Sequence, residues 1–459
     1  MSNFWDFNVW GFSNLLAILL LSLLAANMLK KWIPILQKSL IPTSVLGGAI
    51  LLIIAGIYKA VTKTEMFDTK FFGGNGTALL EVITYHTLAL GFIASTFKST
   101  GGKMTKKRTG EIFDTGVTTV SNYLLQGIFG LALSIIVALI IPGFFKAAGV
   151  LLPFGYGQGT GQAMNYGNIY ETQFGFEGGK SFGLSIAALG FISAALGGVI
   201  HLNILKKRGK IDWSRSVESR LRGEDIETAN EIPMQESIDK LTVQVALVLA
   251  AYLLSYLIMM GLGNLLPGMR AVVYGFNFLL GVLAATLIKL VISVLTKKKV
   301  IRKTYTNNFL LTRVSNFFFD IMVVAGMAAI RLQVLARYWA ILLIMGIVGM
   351  VVTYIYNRIV VKYIFPEYPE EQFLMMYGMY TGTASTGTIL LRELDGEFKT
   401  PAAENMVYQN FPAIVFGFPI MLLATFAPKQ PLVTLLILIP FFIIMNVILF
   451  RRQIFRKKS

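Results

Sequence analysis

The chain has 459 residues, of which 55% are hydrophobic and only 14% are charged, and its formal net charge is +17. Soluble domains are usually about a quarter charged, so this composition indicates a polytopic membrane protein. The absence of cysteine excludes disulfides, thiolate metal sites and cysteine nucleophiles. The Lys and Arg residues lie in short loops between apolar runs, which is a signal of membrane topology. We therefore expect no nucleic-acid partner and no cofactor.

Eleven apolar stretches are long enough to be predicted as membrane-spanning helices, which need about 20 apolar residues each. We predict these spans at 10–28, 41–60, 79–97, 116–141, 182–205, 241–260, 271–295, 309–330, 338–361, 409–426 and 432–450. A charged linker at 206–240 separates the first five spans from the others. Its mixed charges are typical of a solvated connector, or of a short amphipathic helix on the inner leaflet.

Clusters of Lys and Arg follow every second predicted span, from the first to the eleventh, which is the last. Because basic loops remain in the cytoplasm, this pattern predicts an external N-terminus and a cytoplasmic C-terminus. The first five spans then run opposite to the next five, as in the inverted repeats of secondary transporters. The predicted fold is an all-α polytopic membrane protein with two inverted five-helix repeats, 1–205 and 241–427. Residues 428–459 add a further transmembrane helix and a basic tail.

The stretch 151–171, between the fourth and fifth spans, is too rich in Gly, Gln, Asn and Thr to face lipid. Four glycines between 155 and 161 disfavour a continuous helix. Their spacing fits no dinucleotide fingerprint, and the stretch has no Lys for a phosphate-binding P-loop. Non-helical backbone at membrane depth is tolerated only inside protein or along a wet cavity. We predict a re-entrant hairpin at about 150–172, with an ordinary glycine-rich outer loop as the alternative.

An inverted repeat requires a matching break in the second half, and the sequence has one at 373–391. Apolar flanks again surround a centre of Gly, Thr and Ser, so we predict a second re-entrant hairpin at about 371–392. By topology the first hairpin enters from outside and the second from inside. Two such hairpins that meet near the midplane would form one site reachable from either side. The alternative is that both stretches are ordinary loops and that their matching positions in the two halves are a coincidence.

The tips of the two hairpins hold the candidate substrate-binding residues. A helix start offers N–H groups that suit a carboxylate, and a helix end offers carbonyls that suit Na⁺. Hydroxyls and amides nearby add neutral ligands. The predicted substrate-binding residues are Gln158, Gly159, Thr160, Gly161, Asn165, Thr381, Gly382, Thr383, Ser385 and Thr386. The alternative is that these polar groups only satisfy each other's opened backbone.

Asp320 lies well inside the eighth predicted span, where an acid is costly and functional by default. Asn316 is one helical turn earlier, near the same face. We predict that Asp320, Asn316 and Thr383 bind Na⁺ as the coupling ion, with a structural carboxylate as the alternative for Asp320. Asn122 and Gln126 share a face of the fourth span; they either reach the first hairpin or join helices.

Three short motifs carry a resemblance to a known family. They are IPTSVLGG at 41–48, GQGTG at 157–161 and ALGG at 195–198. The first two are similar to Ile-Pro-x-x-Val-x-Gly-Gly and Gly-His-Gly-Thr-Gly of the bacterial sodium/glutamate symporter family, and the third matches its small-residue end of the fifth span. The second hairpin resembles the family's more loosely. Gln158 replaces the family's usual His, Gln162 stands where it has Ala, and Ser385 falls where Pro is common.

The resemblance implies a divergent family member: a secondary active transporter, not an enzyme. Its activity would be Na⁺-coupled uptake of glutamate or a similar small carboxylate by alternating access across the bacterial inner membrane. We expect a small anionic substrate, Na⁺, the lipid bilayer and a second copy of the chain, in a homodimer, as partners. Two alternatives remain: an ion-coupled symporter, driven by H⁺ for example, of another small organic anion or amino acid, and a passive channel. Channels favour repeated filters or rings.

Overall fold

The computed structural model describes residues 3–98, 105–209, 231, 233–234, 238–395 and 399–454. These residues form α-helices joined by short loops. The helices are α1 (Phe7–Trp32), α2 (Pro34–Lys38), α3 (Thr43–Thr62), α4 (Gly76–Phe97), α5 (Lys106–Ile140), α6 (Leu151–Phe174), α7 (Gly179–Lys207), α8 (Lys240–Leu265), α9 (Arg270–Gly275), α10 (Asn277–Lys297), α11 (Asn308–Ala328), α12 (Leu332–Ile364), α13 (Pro369–Thr381), α14 (Ala384–Arg392), α15 (Ala402–Tyr408), α16 (Asn410–Phe426), α17 (Pro431–Leu449) and α18 (Arg451–Ile454). Most of the predicted linker, 206–240, lies outside the described residues.

Within the described residues, ten helices are long and apolar enough to cross a membrane. They are α1, α3, α4, α5, α7, α8, α10, α11, α12 and α17, and each overlaps a predicted span. The remaining predicted span, 409–426, is α16, a helix of only 17 residues that contains Pro419. The bent pair of α15 and α16 would supply an eleventh span. The prediction of an all-helical chain with many membrane-spanning segments is confirmed.

Several helix ends differ from the predicted spans. Helix α5 begins at Lys106, well before residue 116, because Thr105 caps its first turn by accepting a hydrogen bond from the Arg108 N–H. Helix α12 likewise begins at Leu332, since the polar ends of both helices extend beyond their apolar stretches. The predicted span 271–295 is divided between α9 and α10.

The chain divides into two compact units. The first comprises Met1–Glu81, Met104–Val217 and Val323–Ser459, and the second comprises Val82–Lys103 and Glu218–Met322. The second unit has an apolar core from α4, α8, α10 and α11, formed by Leu90, Ile93, Ala94, Phe97, Val248, Ala251, Ala285, Leu311 and Val314. The first unit contains both segments predicted as hairpins. The predicted inverted repeats, 1–205 and 241–427, divide the chain differently from these two units. The repeats stay a prediction.

Helix α6 is broken at Gly159, whose φ of 75° and ψ of −167° suit glycine, which has no Cβ to clash. The rings of Phe154 and Tyr166 stack with their centroids 3.9 Å apart. Twelve residues of a straight helix would separate them by about 18 Å. The chain therefore reverses direction at Gly159, and α6 is a helical hairpin.

Helices α13 and α14 form the second hairpin, with Gly382 and Thr383 at its tip. Its two arms touch through glycines: a Cβ built on Gly378 would lie 2.6 Å from the Cα of Gly387. Thr383 begins α14 as an N-cap, because its hydroxyl accepts a hydrogen bond from the Thr386 N–H.

Helix α17, the predicted extra membrane span, is part of the first unit and packs against α5. The buried carboxylate of Asp114 accepts a hydrogen bond from Arg451 Nη1, at 2.7 Å, just after α17 ends. Tyr356 Oη of α12 lies 2.8 Å from Asn446 Oδ1 of α17. Polar contacts thus fix the predicted extra helix to α5 and α12.

Candidate functional site

Helix α5 contacts the tips of both hairpins. Tyr123 Oη donates a hydrogen bond to the Gly157 carbonyl in the first hairpin, at 2.9 Å. Gln126 Nε2 donates to the Tyr380 carbonyl in the second hairpin and to Thr353 Oγ1 of α12, both at 2.8 Å. Residues three apart are neighbours on a helix surface. One face of α5 therefore brings the two breaks together.

Helices α7 and α12 complete the frame around the tips. A Cβ built on Gly190 of α7 would lie 2.5 Å from the Thr381 carbonyl oxygen and 3.1 Å from the Tyr156 ring. Tyr156 Oη donates to the Gly346 carbonyl of α12, at 2.6 Å. Residues beside both breaks thus touch Gly190, where the missing side chain allows close approach.

The predicted residues of the first hairpin surround its break. Thr160 is fully buried against α11, since a Cβ built on Gly326 would lie 2.7 Å from the Thr160 Cβ. Gly161 is also buried. Asn165 is 5% exposed, and its Nδ2 lies 3.4 Å from Gln162 Oε1.

Two amide atoms of the first hairpin have no hydrogen-bond partner in the part of the chain that the structure describes. They are Gln158 Oε1 and Gln162 Nε2, and both atoms are buried. Buried polar atoms are nearly always paired. The tip therefore presents one acceptor and one donor for a bound molecule to satisfy.

Hydroxyl groups of the second hairpin already bond within the hairpin. Thr381 Oγ1 donates to the Tyr377 carbonyl at 2.6 Å. Thr383 Oγ1 lies 3.4 Å from the Thr386 nitrogen, and Thr386 is fully buried. Thr381 thus bonds back to a carbonyl of its own helix and Thr383 caps α14, and the substrate-binding role of both residues stays a prediction. Ser385 lies in the first turn of α14, and its side chain is outside the described part.

Asn122 and Gln126 share a face of α5 but have different partners in the structure. Asn122 exchanges side-chain hydrogen bonds with Asn357 of α12, at 3.2 and 3.1 Å, and so joins two helices. Gln126 reaches the second hairpin, while Tyr123 reaches the first. Sequence reasoning missed Tyr123, because an aromatic residue in an apolar run looks like a lipid-facing one. The available signal was the run of buried polar residues along α5, which are Thr115, Thr118, Thr119, Ser121, Asn122 and Gln126.

The predicted Na⁺ ligands are not brought together within one unit. Asp320 and Asn316 lie in the second unit and Thr383 in the first. Asp320 is partly buried, whereas Asn316 is exposed. Ser315, the neighbour of Asn316, lies against α4, with its Oγ 2.7 Å from Ser95 Oγ, so Asn316 is directed away from that packed face. The Na⁺-binding role of this set stays a prediction.

Glu370 anchors the start of the second hairpin. Its Oε2 accepts a hydrogen bond from Arg358 Nη1 at 2.6 Å and lies 3.0 Å from His201 Nε2. The His201 and Arg358 hydrogen bonds lower the pKa of Glu370 to about 2, although burial alone would raise it. Below the usual carboxyl pKa of 4.5, this stabilisation is lost progressively as the pH falls towards 2. At neutral pH the carboxylate is charged and paired.

Glu370→Gln should therefore lower the thermal unfolding temperature of the protein purified in detergent. The change removes the counter-charge of the Arg358 guanidinium, whose side chain is 32% exposed. Because the pair is only partly buried, the cost should lie below the value of about 3–5 kcal/mol for a fully buried pair. Glu177→Gln is the matched control, because the Glu177–Arg337 pair is largely exposed, and exposed pairs contribute little. Equal unfolding temperatures for the two variants would contradict an anchoring role of Glu370.

The number and apolarity of the long helices define a multi-pass membrane protein. The chain matches the family described as sodium/glutamate symporter over residues 10–368, which is most of its length. It therefore belongs to the sodium/glutamate symporter family and is a transporter, not an enzyme, as the sequence motifs predicted. No curated protein matches the chain. The family match ends immediately before α13, so the second hairpin lies beyond it.

Proposed function

We propose that this protein carries glutamate, or a similar small carboxylate, into the cell together with Na⁺. It would expose one central site alternately to the two sides of the membrane. Family membership supports the class of substrate and ion. The observation that carries the proposal is the attachment of both hairpin tips to one face of α5, through Tyr123 and Gln126.

The chemistry of the tips is a reason for ion coupling. Helix starts and ends carry backbone N–H and carbonyl groups without intrahelical partners, which suit a carboxylate and Na⁺ respectively. The side chains named at the tips are neutral amides and hydroxyls. An anion in such a buried, uncharged setting lacks a counter-charge. Na⁺ bound with the substrate would supply it.

The proposed membrane arrangement follows from the basic clusters. The N-terminus would lie outside and the C-terminus in the cytoplasm of a bacterial cell, with the protein in the inner membrane. The α6 hairpin would then enter from outside and the α13–α14 hairpin from inside, in two inverted repeats. Large apolar side chains exposed on the long helices, such as Leu24, Ile53 and Leu253, form the surface that lipid requires. A homodimer stays a prediction.

Uptake into liposomes tests the proposal. Purified protein should accumulate radiolabelled L-glutamate when an inward Na⁺ gradient is imposed, and accumulation should stop when the gradient is collapsed. A panel of mono- and dicarboxylates, each with Na⁺ and with a pH gradient instead, would define the substrate and the ion. If no substrate depends on an ion gradient, the symporter proposal fails.

Asp320 is proposed to help bind the coupling cation. Asp320→Asn should raise the Na⁺ concentration for half-maximal uptake at least tenfold, because a charged oxygen ligand is lost at membrane depth. The measurement is the Na⁺ dependence of uptake at saturating glutamate. Asp239→Asn is the control in the same unit: Asp239 caps α8 by accepting from the Leu241 and Thr242 N–H groups, and Asn caps equally well. Unchanged Na⁺ activation in Asp320→Asn would make Asp320 a packing residue.

A further inference from the structure

Gln126 is fully buried, but only one end of its amide is bonded. The nitrogen donates to the Tyr380 carbonyl and to Thr353 Oγ1. A carbonyl can only accept, so this bond identifies which end of the amide is nitrogen. The other end, Oε1, is buried and has no hydrogen-bond partner among the described residues.

An unpaired buried oxygen of this kind has an energetic cost. A buried acceptor without a donor has lost its hydrogen bonds to water and gained none in return. Such atoms are rare in folded proteins and indicate a missing partner. An amide oxygen can accept from an N–H or O–H donor, or it can coordinate a hard cation such as Na⁺.

The position of Gln126 narrows the choice of partner. Its amide bonds one hairpin tip, and Tyr123, one turn earlier, bonds the other. The first tip carries two further unpaired buried amide atoms, on Gln158 and Gln162. Acceptor oxygens in a low-dielectric site bind most strongly to a positive centre, because charge-assisted hydrogen bonds are about twice as strong as neutral ones.

We propose that Gln126 Oε1 binds the positively charged group that is transported through this site. Two sources share that chemistry: the α-ammonium group of an amino-acid substrate, and the coupling Na⁺. The inference rests on the proposed function, since it takes the space between the tips as the transport site. It adds a specific role for a residue of α5, outside both hairpins.

Three variants in proteoliposomes test the proposal. Gln126→Leu removes both the bonded nitrogen and the unpaired oxygen. Gln126→Glu keeps acceptor oxygens at the end of the side chain but loses the donated bonds. Thr353→Val is the matched control, because it removes one acceptor of the Gln126 nitrogen and leaves Oε1 in place. For each variant we would measure the KM for L-glutamate, the Na⁺ concentration for half-maximal uptake, and inhibition by glutarate, which is glutamate without its ammonium group.

The two sources of the positive centre give different results. If Oε1 binds the ammonium group, Gln126→Leu raises the glutamate KM at least tenfold and removes the preference for glutamate over glutarate. If Oε1 binds Na⁺, the same variant raises the half-maximal Na⁺ concentration at least tenfold and leaves that preference unchanged. In either case Gln126→Glu should retain more of the affected affinity than Gln126→Leu, and Thr353→Val should stay within about threefold of the wild type.

The proposal is overturned if Gln126→Leu and Thr353→Val change uptake equally, or if Gln126→Glu is as defective as Gln126→Leu. Either result would show that only the donated hydrogen bonds matter. Failure of the proposed function is recognised separately, because the wild-type protein itself would then show no Na⁺-dependent glutamate uptake. Should Gln126→Leu fail to fold, the comparison of Gln126→Glu with Thr353→Val still decides: a Gln126→Glu protein with weaker binding of both glutamate and Na⁺ than Thr353→Val contradicts the proposal.

Discussion

Gly190→Ala should reduce Na⁺-dependent uptake at least tenfold in a protein that still inserts and folds. The added Cβ would lie 2.5 Å from the Thr381 carbonyl oxygen and 3.1 Å from the Tyr156 ring. Both distances are shorter than ordinary van der Waals contact, and the nearer atom belongs to the backbone at a hairpin tip. Relief of the overlap requires α7 to move away from both tips, at a cost of about 1–3 kcal/mol. Initial uptake rates, normalised to the amount of reconstituted protein, would measure the effect.

Gly127→Ala provides the matched control on α5. A Cβ at this buried helical glycine would meet Leu438 Cδ1 at 3.6 Å and Pro153 Cγ at 3.8 Å, which are ordinary contacts. Alanine also favours helix over glycine by about 0.5–1 kcal/mol, so this variant should retain uptake and unfold no earlier than the wild type. Wild-type uptake by Gly190→Ala would show that transport does not depend on close packing of α7 against the tips.

The helices themselves could be predicted from the sequence, because long apolar runs leave the backbone no other way to satisfy its hydrogen bonds in lipid. The break in α6 was also predictable, since its glycines weaken the helix there. Only Gly159 has a positive φ among the glycines between 155 and 161. Gly157 instead admits the Tyr123 ring, as a Cβ there would lie 2.0 Å from a ring carbon. Composition indicated the break but not which glycine makes it.

The partners of the two breaks could not be predicted, because they depend on helix register. Gln126 and Tyr380 are 254 positions apart, and His201 and Glu370 are 169 apart. Periodicity identifies the polar face of a helix but not the helix that it meets. Asn122 and Gln126 were therefore indistinguishable in the sequence, although the first joins two helices and the second holds a hairpin tip.

The absence of native cysteine allows a direct test of the central site by single-cysteine labelling. Gln158 and Thr383 are partly buried, one beside each hairpin tip. Cysteines at these two positions should react with membrane-impermeant thiol reagents from both sides, in right-side-out and in inverted vesicles, because alternating access opens one site to each face. Saturating glutamate with Na⁺ should slow both reactions at least tenfold, since the bound substrate would cover the tips.

Two exposed positions serve as controls for the side from which the thiol reagent reacts. A cysteine replacing Glu177, in the turn between α6 and α7, should react only from outside, and one replacing Lys207, at the end of α7, only from inside. Neither reaction should depend on substrate, because neither residue lies near a break. If the cysteines at Gln158 and Thr383 instead react freely in the presence of saturating glutamate and Na⁺, the two tips are surface loops. A single central site between them would then be wrong, even for a protein that transports glutamate.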